Sequence, residues 1–349
     1  MTQIFIKFVV SLLRNDIPVK KQTLAKNAEK KLNIKLQMMK KLIIAIAAMV
    51  FAAGAASAQD MAQATELYNN GATAITMKNW TEALDYFQKA MEMGKTIGAD
   101  ADELVANCKG AIPGVSLEIA KDLITDKKYE EAVVELDKVV AIATEYENAE
   151  VAEKAKELVP QVWMQKGADA LKLKDFATAE DGFKKSYAID TTAGKTALYL
   201  GQALAAQGKT EEAIEAFQHA AWNGEKATAD KQISNIYVKQ ANAAFKGQKF
   251  ADAVKAADKS NEIQENATAY LIAGQASQKL SKNADAIKYF EKYLEMSPNA
   301  KNASAITFTV AALYQGAKNN AKALENYKKV QDDPKFGAQA KEQIKALSK

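Results

Sequence analysis

The sequence predicts an all-α fold made of antiparallel helix pairs stacked one on the next, and three observations predict it. A frame consisting of a small residue, an alanine twelve positions later, and further packing residues four and seven after that recurs seven times along the chain. Only five prolines and sixteen glycines interrupt 349 residues rich in Ala, Lys, Glu and Leu, a composition that favours helix nearly throughout. That length is long for one globular core, but it suits an array whose members touch only their neighbours.

The clearest copy of the frame runs from Ala267 to Pro298, ATAYLIAGQASQKLSKNADAIKYFEKYLEMSP. Two helical patterns flank the polar break Ser281-Lys282-Asn283, so the stretch reads as a helix hairpin. Gly274 has no side chain and lets the second helix approach the first. Ala286 supplies the matching small surface, Phe290 and Tyr293 fill the space one and two turns on, and Pro298 ends the unit. These spacings resemble the tetratricopeptide repeat. The resemblance implies a right-handed superhelix of about seven helix pairs with a C-terminal capping helix, and a function in binding proteins or peptides.

Taken in chain order, the frame gives Gly71, Ala83, Phe87 and Ala90, then Ala120, Ala132, Leu136 and Val139. Next come Gly167, Ala179, Phe183 and Ser186, then Gly201, Ala213, Phe217 and Ala220. Ala241, Ala253, Ala257 and Ser260 form the fifth copy, and Ala311, Ala323, Tyr327 and Val330 the seventh. Ala257 stands where a large residue is expected, so the fifth copy packs loosely unless Phe245 or Phe250 fills the gap. Aromatic residues Trp80, Tyr129, Phe176 and Phe250 recur at the start of second helices and pack the turn between the two helices.

Spacing between copies is uneven. Alanines 83, 132 and 179 lie 49 and 47 apart, against 34, 40, 33 and 37 for the later intervals. The extra length precedes the second and third copies, where Pro113 and Pro160 each lie seven residues before the small contact residue. Helical sequence precedes both prolines, which predicts two lengthened first helices kinked at residues lacking an amide donor. After the last copy, Asp333-Pro334 opens a final helix with Phe336, Ala340, Ile344 and Leu347 on one stripe, the pattern of a cap.

Residues 1–38 fall outside this scheme and read as an upstream extension, with translation beginning at Met38 or Met39. From Met39 the chain reads as an export signal: Lys40-Lys41, an apolar run from Leu42, and Ala56-Ser57-Ala58 before Gln59. The apolar run of 15 residues reaches about 22 Å as a helix, short of the roughly 30 Å hydrocarbon core of a bilayer. Cleavage after Ala58 leaves residues 59–349 as the solenoid and places it outside the cytoplasm, in the periplasm. An uncleaved leader would be its one membrane contact.

Removing the leader reverses the charge. The whole chain carries +4, whereas residues 59–349 hold 37 lysines against 41 acidic residues, a net −4. Arg14 is the only arginine, so bidentate reading of phosphate or guanine is unavailable to the mature chain, and nucleic acid is not an expected partner.

Catalysis has little to draw on. His219, the only histidine, lies on a regular helical pattern, and Cys108, the only cysteine, reads as a small buried hydrophobe, with no sequence feature near it that argues for a nucleophile. One histidine without a cysteine partner argues against a zinc site, no glycine-rich nucleophile turn accompanies it, and no glycine-rich phosphate loop is present. We therefore expect no catalytic residue, metal or cofactor.

Recognition surface remains. In the resembled architecture the first helix of each pair lines a groove, and the residue after the small contact residue points toward it. Three consecutive copies place an amide there, Gln202, Asn242 and Gln275, with Lys246 and Lys279 four residues beyond the last two. Amides donate and accept while lysine supplies charge, so the row suits an extended peptide backbone or an acidic chain end. It partly resembles the carboxylate-gripping groove of co-chaperone tetratricopeptide domains, but Val238 and Leu271 stand where that groove has a lysine. The sequence thus reads as an exported, non-enzymatic scaffold for protein or peptide partners. The alternatives are an envelope-attached structural protein with a retained leader and, third, an enzyme acting through His219.

Overall fold

The computed structural model describes residues 55–348. Residues 1–38 and the leader as far as residue 54 lie outside the described residues. Among those described, every regular element is helical, and the fifteen α-helices follow one another as hairpins joined by tight turns. The chain separates into two compact units, with the boundary between Val159 and Pro160.

The N-terminal unit contains α1 (Ala55–Thr76), α2 (Trp80–Ile97), α3 (Asp102–Thr125), α4 (Tyr129–Glu145) and the first part of α5 (Ala149–Lys172). A short 3-10 turn, Ala99–Ala101, joins α2 to α3. Within this unit α2 packs on α1, α3 on α2 and α4 on α3. Its core centres on Tyr68, Phe87, Leu104, Cys108 and Ile112, with the rings of Tyr68 and Phe87 meeting edge to face at 5.2 Å.

The C-terminal unit continues through α6 (Phe176–Ile189), α7 (Gly194–Ala206), α8 (Thr210–Ala220), α9 (Lys226–Lys246) and α10 (Phe250–Ile263). It ends with α11 (Ala267–Lys279), α12 (Asn283–Met296), α13 (Ala303–Gly316), α14 (Asn320–Lys329) and the closing helix α15 (Gly337–Leu347). From α7 onward each helix packs on the one before it, and α9 also touches α11 directly. This sequential packing is how an array of modules buries apolar surface without one central core.

One turn is used eight times among the described residues, seven times within helix pairs and once, at Glu147, between α4 and α5. Between the helices of each pair a residue takes the left-handed conformation: Lys78, Lys127, Lys174, Gln248, Ser281 and Lys318 at φ of 58–61°, and Gly208 at 78°. The next amide then bonds back to a carbonyl five residues earlier, as in Asn79 N to Ala74 O at 2.9 Å and Lys282 N to Ser277 O at 2.9 Å. That bond satisfies a helix-end carbonyl and reverses the chain. Seven of the eight positions accept the steric penalty of a side chain at positive φ, which the closing hydrogen bond and the packing beyond it offset.

The extra length ahead of the second and third copies is helix rather than loop. Helices α3 and α5 each span 24 residues with Pro113 and Pro160 in their interiors, against 13 residues for α7 and α11. The longer interval before the fifth copy has another origin. A kink at Ala221–Glu225 follows α8, where Asn223 and Gly224 leave the helical conformation, Gly224 at φ 95°, and α9 then runs for 21 residues.

The capping helix begins later than the sequence pattern implies. Asp333 and Pro334 form a turn in which the Asp333 carboxylate accepts from the amides of Lys335 at 2.9 Å and Phe336 at 3.0 Å, so the helix starts only at Gly337. Phe336 stacks on Phe308 at 5.5 Å, and Ala340, Ile344 and Leu347 cover the core around Val310 and Tyr327.

Candidate functional site

The crossings within the helix pairs set where the first helices lie. A Cβ placed on Gly274 would sit 2.6 Å from the Phe290 ring, on Gly201 2.7 Å from Phe217, and on Gly167 2.8 Å from Phe183. In the N-terminal unit the corresponding distance from Gly71 to Phe87 is 3.0 Å. The alanines facing these crossings, Ala83, Ala179, Ala213 and Ala286, are fully buried. Each ring thus lies flat against a bare stretch of backbone, where dispersion contacts are dense.

The fifth copy is built differently. Ala241, Ala253 and Ala257 are all fully buried, and Phe245 meets Phe250 edge to face at 5.5 Å beside them. The aromatic bulk missing at 257 is supplied by this pair. Pro298 lies exposed just beyond the end of α12.

A further close approach comes from Gly182, which the frame does not include. A Cβ there would lie 2.7 Å from the Gly167 amide nitrogen and 2.9 Å from both the Gly167 Cα and the Trp163 carbonyl oxygen. Two glycines therefore bring the backbones of α5 and α6 together.

Polar staples join successive pairs in the C-terminal unit. Buried Glu180 on α6 accepts from Lys184 at 2.6 Å, and from Gln207 and Lys209 at 2.7 Å. Gln207 also donates to the Phe176 carbonyl at 3.0 Å. Burial pushes the Glu180 carboxyl up, but these donors outweigh it and hold the group at about 2. Further along, the Tyr289 hydroxyl donates to Asp258 at 2.8 Å and the Tyr314 hydroxyl to Glu291 at 2.6 Å. Sequence spacing did not single out these residues, because the bonds between hairpins join groups 23 to 31 positions apart.

On the first helices, Asn242, Lys246 and Lys279 are exposed, and Gln202 and Gln275 are half-buried. None of the five side chains makes a hydrogen bond or ion pair with the described residues. Helices α9 and α11 pack directly on each other, so Asn242 with Lys246 and Gln275 with Lys279 occupy equivalent registers on neighbouring rods. Val238 and Leu271, one turn earlier, are half-buried against the cores. Asn242, Lys246, Gln275 and Lys279 are therefore polar and unpaired on an apolar base, able to donate, accept and carry positive charge, whereas Gln202 lies on α7, which does not pack on α9 as α11 does.

The two single-copy residues have packing roles. Cys108 is fully buried, and that burial pushes its thiol up to about 12, far from thiolate reactivity. His219 packs between Tyr187 at 5.9 Å and the exposed Trp222 at 5.2 Å. Among the described residues, no group of three His, Cys, Asp or Glu side chains is placed to hold a metal ion.

Residues 267–300 match the model of the tetratricopeptide repeat family. No curated protein matches the chain. Among solved structures it is similar to MamA at 19% identity, over 52% of this chain and 96% of that one, with a TM-score of 0.34. It is also similar to the TPR2AB domain of yeast Sti1, solved as a pHSP90 complex, at 19% identity over 82% of this chain and 99% of that one, TM-score 0.34. For YrrB, a TPR protein with an unusual peptide-binding site, the values are 17%, 52%, 91% and 0.31. None of the three supplies a residue or a ligand to this chain.

Proposed function

We propose, from the premise that this is a tetratricopeptide repeat protein, that it is a non-enzymatic scaffold holding an extended segment of a partner protein along α7, α9 and α11. The observation that carries this reading is the unpaired set Asn242, Lys246, Gln275 and Lys279 on the packed helices α9 and α11, with Gln202 at the same position of the repeat on α7. Amide side chains at equivalent registers match the alternating donors and acceptors of an extended backbone, and the two lysines favour acidic side chains or a terminal carboxylate. Val238 and Leu271 add apolar contact beneath. Converting Asn242, Lys246, Gln275 and Lys279 together to alanine should weaken partner capture from envelope extracts by about tenfold or more, since a few polar anchors commonly dominate such interfaces. Helix content should stay unchanged. Undiminished capture would remove the row from the account.

The proposal places this scaffold outside the cytoplasm. The support is the run from Lys40 to Ala58, whose basic start, short apolar middle and small-residue end have the order of an exported leader. Mass spectrometry of protein released in the soluble envelope fraction should find Gln59 as the N-terminus. A retained leader and a membrane-bound protein would favour the envelope-attached structural reading instead.

A further inference from the structure

The N-terminal unit carries a recess of about 450 Å³ between the α1–α2 turn and the C-terminal half of α3, walled by Trp80, Leu123, Lys78, Glu82, Asp122 and Asp126. Three carboxylates face one lysine. Asn79 donates to Glu82 at 3.3 Å, while the side chains of Asp122 and Asp126 make no hydrogen bond or ion pair with the described residues.

Those two aspartates are badly placed for the helix they belong to. They lie four residues apart at the end of α3, with no basic residue in the last turn. Like charges at that spacing repel, and both sit at the end where the helix dipole already presents negative charge. The corresponding junction between α6 and the α7–α8 turn is neutralised from within: Gln207 bridges to Phe176 and Glu180, and Lys184 and Lys209 pair with Glu180. At the recess, Asp126 occupies the register that Gln207 holds there, and an acceptor cannot make that bridge. The recess therefore has room, an aromatic wall and more negative charge than its single lysine, Lys78, can balance.

The geometry points to a second binding site, in which this recess takes the ammonium or guanidinium end of a lysine or arginine from a basic segment of a partner protein, set against Trp80 and held by Asp122 and Asp126. Trp80 contributes its ring face to the cation, and the two carboxylates lose their mutual repulsion on binding. The site belongs to a different unit from the α7–α11 row, so the two readings succeed or fail separately.

The test uses the purified chain and a fluorescein-labelled peptide of three Gly-Lys repeats, with a Gly-norleucine peptide of equal length as reference, followed by anisotropy. The lysine peptide should bind and the norleucine peptide should not. D122N/D126N should weaken binding about tenfold and Trp80→Leu about threefold, in keeping with two carboxylate contacts and one cation–π contact. Asp100→Asn in the 3-10 turn with Glu103→Gln in the first turn of α3 removes the same charge from exposed positions far from the recess, and should change affinity less than about twofold. Without peptide, D122N/D126N should melt higher than the parent chain, because a repulsive pair is gone. Equal losses from both charge-removing pairs would reduce the effect to net charge and overturn the site, as would failure of the lysine peptide to outbind its norleucine counterpart.

Discussion

Gly182→Ala should destabilise the C-terminal unit by about 2 kcal/mol, although alanine is the better helix former. The intrinsic preference favours alanine by up to about 1 kcal/mol in a helix interior. Against it stand three contacts below 3 Å with the amide nitrogen and Cα of Gly167 and the carbonyl oxygen of Trp163. These are backbone atoms and cannot rotate aside as a side-chain tip can, so α5 and α6 must separate, and overpacking of this kind typically costs about 1–3 kcal/mol. Gly110→Ala is the matched control. Gly110 lies inside α3 with nothing within 4 Å of the added Cβ, so the same exchange should stabilise by about 0.5–1 kcal/mol. Urea denaturation followed by helix circular dichroism checks both. Opposite signs for one chemical change separate crossing geometry from helix propensity.

Phe290→Ala should cost more, about 3–5 kcal/mol, by leaving a cavity against the bare backbone of Gly274. Phe290 is 1% exposed and belongs to a cluster with Ala286, Tyr293, Val310 and Tyr327. Because each helix hairpin is supported by its neighbours, the loss should spread into α13 and α14 and appear there as faster amide exchange. Exchange confined to α11 and α12 would mean that the modules are energetically separate.

What could be read from the sequence follows from which forces act at short range along the chain. Helices, their pairing and the long α3 and α5 leave a periodic trace of small and apolar residues, and that trace survives without coordinates. The left-handed turn residues leave no such trace, because lysine, glutamine, glutamate and serine occupy positions where glycine would have announced them, with Gly208 the one exception. Gly182 was invisible for a related reason: the frame counts a small residue on the first helix of a pair, whereas here the second helix contributes one as well. The staple at Glu180 joins residues of different hairpins, 27 and 29 positions apart, and no local pattern encodes it. At the candidate site the register of Asn242, Lys246, Gln275 and Lys279 was readable, but their lack of internal partners was not. The aspartates beside Trp80 lie more than forty positions from it in sequence, so no local pattern joins them.

The close crossing of paired helices is tested most directly by a double-mutant cycle at Gly274 and Phe290, with unfolding free energies measured for Gly274→Leu, Phe290→Ala and the two combined. The leucine should overpack the crossing when the ring is present and occupy the vacated space when it is gone. The account therefore predicts that the double variant loses at least about 1 kcal/mol less than the sum of the single losses. Additivity within about 0.5 kcal/mol would show that these two residues do not share the space on which the stacking depends, and would contradict the account.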